Sequence, residues 1–304
     1  MQNKKTAQLI QRISAGIMDL VIAFIISTFL SSLIISPLFT NMEDYKSNYE
    51  IYETKLVETN LFKKDSNNSN KLTCIIDLLD EQGKTTFSLD KVEEYDSVIV
   101  LFYTEYGEEK VTEYHNTKKD YSIFTYSESE SKYVLVDNPS INEVYTFFMN
   151  SYNDAANYFF EVDEEAYKSY YYLTLMNKIS LITTIGITLL ICYIIIPLLS
   201  KDGQTIAKRI FALDVRSIKD DAPASKIQVL FREAFYVFIV LILSYFTYFI
   251  PLIISLGFMI FERNNLSLHD YVSGTYVRDL VLVVPEEERE YNENIIDVEA
   301  REVN

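Results

Sequence analysis

Residues 12–26 read RISAGIMDLVIAFII, an apolar run with an arginine at its mouth and an aspartate seven positions further in. From Ala15 to Phe39, 25 residues, Asp19 is the only Asp, Glu, Lys or Arg. A bilayer core of roughly 30 Å asks for about 20 apolar residues of helix, which this run supplies. A second run, Ile179 to Leu199, holds no such residue over 21 positions, and a third, Ala234 to Phe261, holds none over 28. Buried core helices are usually shorter and broken by polar positions. The three runs predict a membrane α-helical bundle of three or four spanning or re-entrant helices. A mean hydropathy of only +0.04 agrees with this, because a long hydrophilic segment between the first two runs dilutes the average. The first run is read as retained rather than cleaved: it exceeds the 7 to 15 residues of a signal-peptide core and leads into SPLFTN without a small-residue cleavage pattern.

The charge distribution orients the bundle. Residues 1–14 carry three basic groups and no acid, and residues 200–233 carry seven basic groups against five acids. Residues 40–178 carry 13 lysines, no arginine and 27 acids. Lys and Arg close to membrane ends mark the cytoplasmic side. The expected arrangement is a multi-pass cell-membrane protein, with residues 1–40 forming a cytoplasmic N-terminus and first helix. Residues 41–178 form an extracytoplasmic insert, 179–280 the rest of the membrane domain with its basic loop, and 281–304 an acidic cytoplasmic tail. A formal net charge of -17 argues against nucleic acid as a partner. The lipid bilayer is the expected partner of the helices. Cys74 and Cys192 fall in different segments, so no disulfide framework is expected.

The insert is expected to be an α+β domain of five or six short strands. NMEDYKSNYEIYETKLVETNLFKKD has helical spacing; SNNSN, residues 66–70, reads as a loop. The runs KLTCIIDLLD, TTFSLDKV, SVIVLFYTEY, VTEYHN and YSIFTYSESESKYVLVDN read as strands and hairpins. From Ile141 to Met176 the spacing turns helical again. His115 has no Cys or paired His at metal spacing and reads as a surface residue, so no metal and no cofactor are expected. The third apolar run reads either as one tilted helix of 28 residues, roughly 42 Å long, or, preferably, as a helix from near Val229 with Arg232 reaching to the inner surface, a turn near Pro251, and a short return to Arg263.

Three stretches then fall together: RISAGIMDLVIAF; DGQTIAKRIFALDVRS, residues 202–217; and LSLHDYVSGTYV, residues 266–277. In this order they resemble the RDD family of integral membrane proteins, named for one arginine and two aspartates, here Arg12, Asp19 and Asp270. The loop resembles that family's G-x-T-x-G-K pattern at Gly203, Thr205 and Lys208. The last stretch resembles H-D-x-x-A-G-T at His269, Asp270, Gly274 and Thr275. The resemblance covers residues 8–40 and 179–280. Ala207 and Ala212 stand where glycines are usual, and Ser273 where alanine is. GQTIAKR lacks the spacing of a phosphate-binding loop and the strand that precedes one.

Seven residues of helix turn through about 700°, so Arg12 and Asp19 share a face roughly 10 Å apart, too far to pair directly. Both could face one polar pocket. A charge inside a membrane helix is costly and finds a partner or a task. Asp19 either fixes helix order through the 200–233 loop or, with Arg12, Asp270 and His269, forms a pathway for a cation or proton. What the resemblance implies is transport of a small ligand, or cation and proton exchange. The alternative is a non-transporting anchor whose insert binds an envelope component or protein partner. No nucleophile and base pair, metal cluster or phosphate loop suggests an enzyme.

Overall fold

The computed structural model describes residues 6–262 and 265–280. In chain order, α1 (Leu9–Thr40) is followed by α2 (Glu43–Glu58), β1 (Phe62–Asp65), β2 (Lys71–Cys74), α3 (Val92–Tyr106) and α4 (Glu108–Thr117). Next come β3 (Phe124–Ser127), β4 (Lys132–Leu135), α5 (Ile141–Val162), α6 (Glu164–Leu199), α7 (Ile206–Ile210) and β5 (Leu213–Ser217). The last elements are α8 (Lys226–Phe246), α9 (Ile250–Phe261), α10 (Leu268–Ser273) and β6 (Thr275–Asp279). The fold is mostly helical with small sheets. The helices α1, α6 and α8 are long and apolar enough to cross a membrane. Each contains a π-helical turn, at Ser31–Ile35, Leu190–Ile195 and Tyr236–Ile242. Residues group into two compact units, one of Leu38–Ile179 and the other of the residues before and after it.

In the second of these units, Phe24, Phe29, Leu33, Ile182, Phe238 and Tyr245 are exposed, as side chains facing lipid would be. The third apolar run divides. After α8 the chain turns through Tyr248 and Phe249, both with positive φ, and the Phe249 N–H donates to the Ser244 carbonyl at 2.8 Å. Ser244 Oγ donates to the Val240 carbonyl and accepts from the Leu252 N–H at 3.1 Å, so one hydroxyl ties the two helices at the turn. Pro251 then sits in the first turn of α9, where its missing N–H costs nothing. At 12 residues α9 is roughly 18 Å long, shorter than a bilayer core. It packs back against α8 and against α10. The turn therefore falls slightly ahead of Pro251, and the expected return to Arg263 ends outside the described residues, as does the acidic tail of residues 281–304.

The same unit holds an antiparallel pair, β5 and β6, in register Leu213↔Asp279 to Ser217↔Thr275. The chain before α1 joins it: Thr6 bridges Arg278, and the Ala7 N–H donates to the Val277 carbonyl at 3.0 Å. Asp214, fully buried, is held by Arg216 at 2.7 Å and Arg278 at 2.8 Å.

The unit of Leu38–Ile179 is more helical than the sequence suggests. Among the described residues it holds four strands in two hairpins, with registers Phe62↔Cys74 and Phe124↔Leu135, not five or six. SVIVLFYTEY lies in α3 and VTEYHN in α4. The reason is visible in α3: Val92, Tyr95, Ile99, Phe102 and Tyr103 are its buried residues, a spacing of three and four that a reading begun at Ser97 cuts in half. TTFSLDKV forms one isolated bridge, Leu79 to Thr85, and a short 3-10 turn instead of a strand. His115 lies on α4, partly buried against the Tyr114 ring, and not in a loop. Of the stretches expected to be helical, residues 41–65 are so over Glu43–Glu58 but end in the strand Phe62–Asp65, and residues 141–176 are helical with a break at Asp163 between α5 and α6. On α5, Val144, Phe147, Phe148, Tyr152, Ala155 and Phe159 form one buried stripe. Burying such an aromatic side chain contributes roughly 1.5 to 3 kcal/mol each.

Candidate functional site

Four helices of the helical unit, α1, α7, α8 and α10, bring charged side chains to one place. On α1, Arg12 donates to Asp270 Oδ2, to the Asn265 carbonyl and, at 3.3 Å, to Ser267 Oγ. Asp270 is fully buried in the first turn of α10, where it also closes a capping box: its Oδ2 accepts from the Ser267 hydroxyl at 2.6 Å and the Ser267 N–H at 3.2 Å. Its other oxygen accepts from Arg232 Nε at 2.8 Å. One carboxylate thus ends a helix cleanly and clasps two guanidinium groups from two other helices.

Arg232 continues the chain of contacts. It donates to Glu233 Oε1, and its Nη2 lies 3.1 Å from His269 Nε2. Glu233 Oε1 also accepts from Lys208 Nζ at 3.1 Å. Arg232 is only 1% exposed, so the expectation that it reaches out to the inner surface is wrong. Two ion-pair partners, Glu233 and Asp270, hold it inside, where a snorkelling lysine or arginine would have only water.

Asp19 joins from the other side. Its Oδ2 accepts from the Thr205 hydroxyl at 2.6 Å and its Oδ1 from the Ala207 N–H at 3.0 Å. Thr205 is the N-cap of α7 and accepts from the Lys208 N–H at 3.3 Å. Asp19 therefore caps the start of a helix from another part of the chain, satisfying a donor that the helix itself cannot. Arg12 and Asp19 make no contact with each other, in keeping with their spacing on α1.

The remaining motif residues set the backbone. Gly203 has φ +63, and a Cβ there would meet Val229 Cγ2 at 2.7 Å, so α8 packs directly on this turn. Gly274 ends α10 with φ +65, the left-handed cap that glycine adopts without cost. Thr275 is fully buried and meets Ser273 Oγ at 2.8 Å. Ala207 is helical and fully buried, a position where alanine is at ease. Ala212, by contrast, has φ 51, so the alanine occupies a conformation suited to glycine.

Electrostatics follow from these contacts. Burial alone would raise the Asp270 carboxyl, but the Arg232 and Arg12 guanidinium groups outweigh it and hold it well below the usual carboxylate range. Burial, reinforced by Arg232, pushes the His269 imidazole well below its ordinary value and keeps it neutral. Burial and Arg232 lower Lys208 as well, against the opposing pull of Glu233 and Asp19. With the histidine neutral, Arg12, Lys208 and Arg232 balance Asp19, Glu233 and Asp270.

Beside this network lies a cavity of about 320 Å³, lined by Arg12, Asp19, Lys208, Arg232, Glu233 and His269 of the network and otherwise mainly by apolar side chains such as Leu252 and Met259. The sequence reading missed Glu233, Tyr193 and Tyr236, which also line it. The adjacent opposite charges Arg232 and Glu233 at the edge of a 28-residue charge-free block were the available signal. Among the described residues no group of three or more His, Cys, Asp or Glu is placed to hold a metal.

No curated protein and no solved structure matches the chain. Residues 143–274 match the model of the RDD family. The match begins in α5 rather than at residue 179. It includes Gly203, Lys208, Arg232, His269 and Asp270, while Arg12 and Asp19 precede it. Over those residues the chain is similar to the RDD family, a membrane-associated family.

Proposed function

We propose that this is a multi-pass cell-membrane protein that transports a small ligand through the cavity of its helical unit. The N-terminus and the 200–233 loop lie inside and residues 41–178 outside. The single observation behind the transport reading is the cavity itself, apolar over most of its wall and lined also by a charge-balanced network. The charge asymmetry of the chain supports the sidedness. Exchange of cations for protons is the weaker form of the proposal, since Asp19, Glu233 and Asp270 each already have a partner. A carboxylate that must release one cation for another is better left with an open coordination position. The contact set gives no reason to assign an enzyme.

The test does not require the ligand to be known. In a background with Cys74 and Cys192 replaced by alanine, Leu256→Cys and Met259→Cys place thiols on the cavity wall. A membrane-impermeant maleimide should reach them from both faces of sealed vesicles, as alternating exposure requires. Labelling from one face alone would overturn transport. The completeness of the ionic network favours a second reading, in which the helical unit is an anchor and residues 41–178 bind an envelope component or a protein. In that case neither face labels, and replacing residues 41–176 with a short linker removes the cellular phenotype while the helices still insert.

A further inference from the structure

Two residues that line this cavity each carry a buried polar atom with no partner among the described residues: the Tyr193 hydroxyl and His269 Nδ1. Tyr193 is 2% exposed, so water from bulk does not satisfy it. An unpartnered buried hydroxyl costs roughly 1 to 3 kcal/mol, which a chain tolerates where something else supplies the bond. Both residues touch Tyr236: the ring centroids of Tyr193 and Tyr236 are 5.5 Å apart, and those of Tyr236 and His269 are 4.9 Å apart. The three rings form one continuous stretch of wall. Tyr193 and Tyr236 also lie in the π-helical turns of α6 and α8, a local widening often found at functional sites.

The hydrogen bonds assign the polarity of these two groups. His269 Nε2 faces Arg232 Nη2 at 3.1 Å, and a guanidinium can only donate. Nε2 also lies 3.0 Å from Ser267 Oγ; with Nε2 accepting from the guanidinium, the proton of the neutral ring sits on Nδ1. A tyrosine hydroxyl donates as well. Two donors of the cavity-lining residues are thus unused, while the three cations Arg12, Lys208 and Arg232 equal in number the three carboxylates Asp19, Glu233 and Asp270 and leave no surplus charge to neutralise a charged head group.

We propose that the cavity binds a neutral, lipid-like molecule through a carbonyl oxygen, which accepts hydrogen bonds from Tyr193 and His269 while its hydrocarbon part lies against Leu252, Leu256 and Met259. This rests on the reading of the cavity as a ligand site, but not on transport. An ester carbonyl of an acyl glycerol and a ring carbonyl of a prenylated quinone present the same chemistry, and they are separated by experiment.

The full chain, purified in dodecyl maltoside, a detergent without a carbonyl, is titrated with four probes: dioctanoylglycerol, a short-chain ubiquinone, decane and decanoate. At least one of the two carbonyl probes binds saturably, and more tightly than decane or decanoate; the tighter of the two identifies the source. Tyr193→Phe weakens that probe about tenfold, the size of one neutral hydrogen bond, and does not lower the thermal midpoint of the ligand-free protein. Met259→Trp, which fills the cavity, abolishes binding. Equal binding of decane, stronger binding of decanoate, no binding of either carbonyl probe, or unchanged affinity in Tyr193→Phe overturns the proposal. So does binding that survives Met259→Trp. Cysteine labelling from both faces with no carbonyl preference leaves transport standing and removes this ligand; carbonyl binding with labelling from one face does the reverse.

Discussion

In the unit of Leu38–Ile179 the largest fully buried side chains are Tyr152, Phe147, Phe148 and Phe159; in the other unit they include Arg232, Tyr276 and Glu233. The difference follows from the solvent each surface suits. A domain in water gains its stability by removing rings and aliphatic chains from water, and the aromatic contacts of α5 with Phe102, Tyr114 and Phe124 do this. Helices in lipid gain little from burying one apolar face against another, since the tails outside are equally apolar. Their order must be specified by something lipid cannot offer. Here that is a set of charges whose partners lie on different helices.

The comparison can be broken most severely at Asp270. Asp270→Asn leaves Arg12 and Arg232 buried with one common counter-charge removed, which should cost about 3 to 5 kcal/mol. The variant should run as aggregate on size exclusion after extraction, while wild type runs as a single species. A folded, monodisperse Asp270→Asn would show that the network is not what orders the helices. Phe148→Ala is the matching change in the other unit and should cost about 3 to 5 kcal/mol by leaving a cavity. Limited proteolysis should then cut within residues 38–179 and spare α8 and α9.

A smaller effect appears with pH. His269 has its folded pKa well below the ordinary 6.5, so below about pH 6.5 the unfolded chain takes up a proton that the folded chain refuses. The stability present above that value is lost as pH falls, and the thermal midpoint should drop between pH 7 and pH 5. His269→Gln should flatten this drop. His115, lowered less strongly by burial and by Lys118, gives the same sign in the other unit, so His115→Gln should flatten it less. The smallest change expected is favourable. Ala212→Gly relieves a left-handed alanine and should add about 1 kcal/mol, a rise of a few degrees in midpoint.

The two units were also unequally legible in the sequence. Spans show themselves by length alone, so α1, α6 and the divided third run were readable, and Pro251 announced the division. Arg12, Asp19 and Asp270 stood out because a charge beside or within an apolar run is conspicuous. The 200–233 loop was readable as a partner of Asp19, but which of its groups bond was not, because Thr205 and Ala207 are chosen only by packing, and so is Arg232 for Asp270. In the other unit, SVIVLFYTEY has strand composition throughout, and only tertiary burial at Tyr95, Ile99 and Phe102 reveals its helical period. Tyr193 was unreadable for a further reason: a missing hydrogen bond leaves no trace in sequence.

The capping of α7 by Asp19 has a consequence for how the chain is made. The carboxylate and Thr205 are 186 residues apart, and at about 5 to 20 residues per second roughly 10 to 40 s pass before the ribosome delivers the partner. For that interval the first helix waits with an unanswered acid, and only completion of the chain past residue 207 supplies both of its donors.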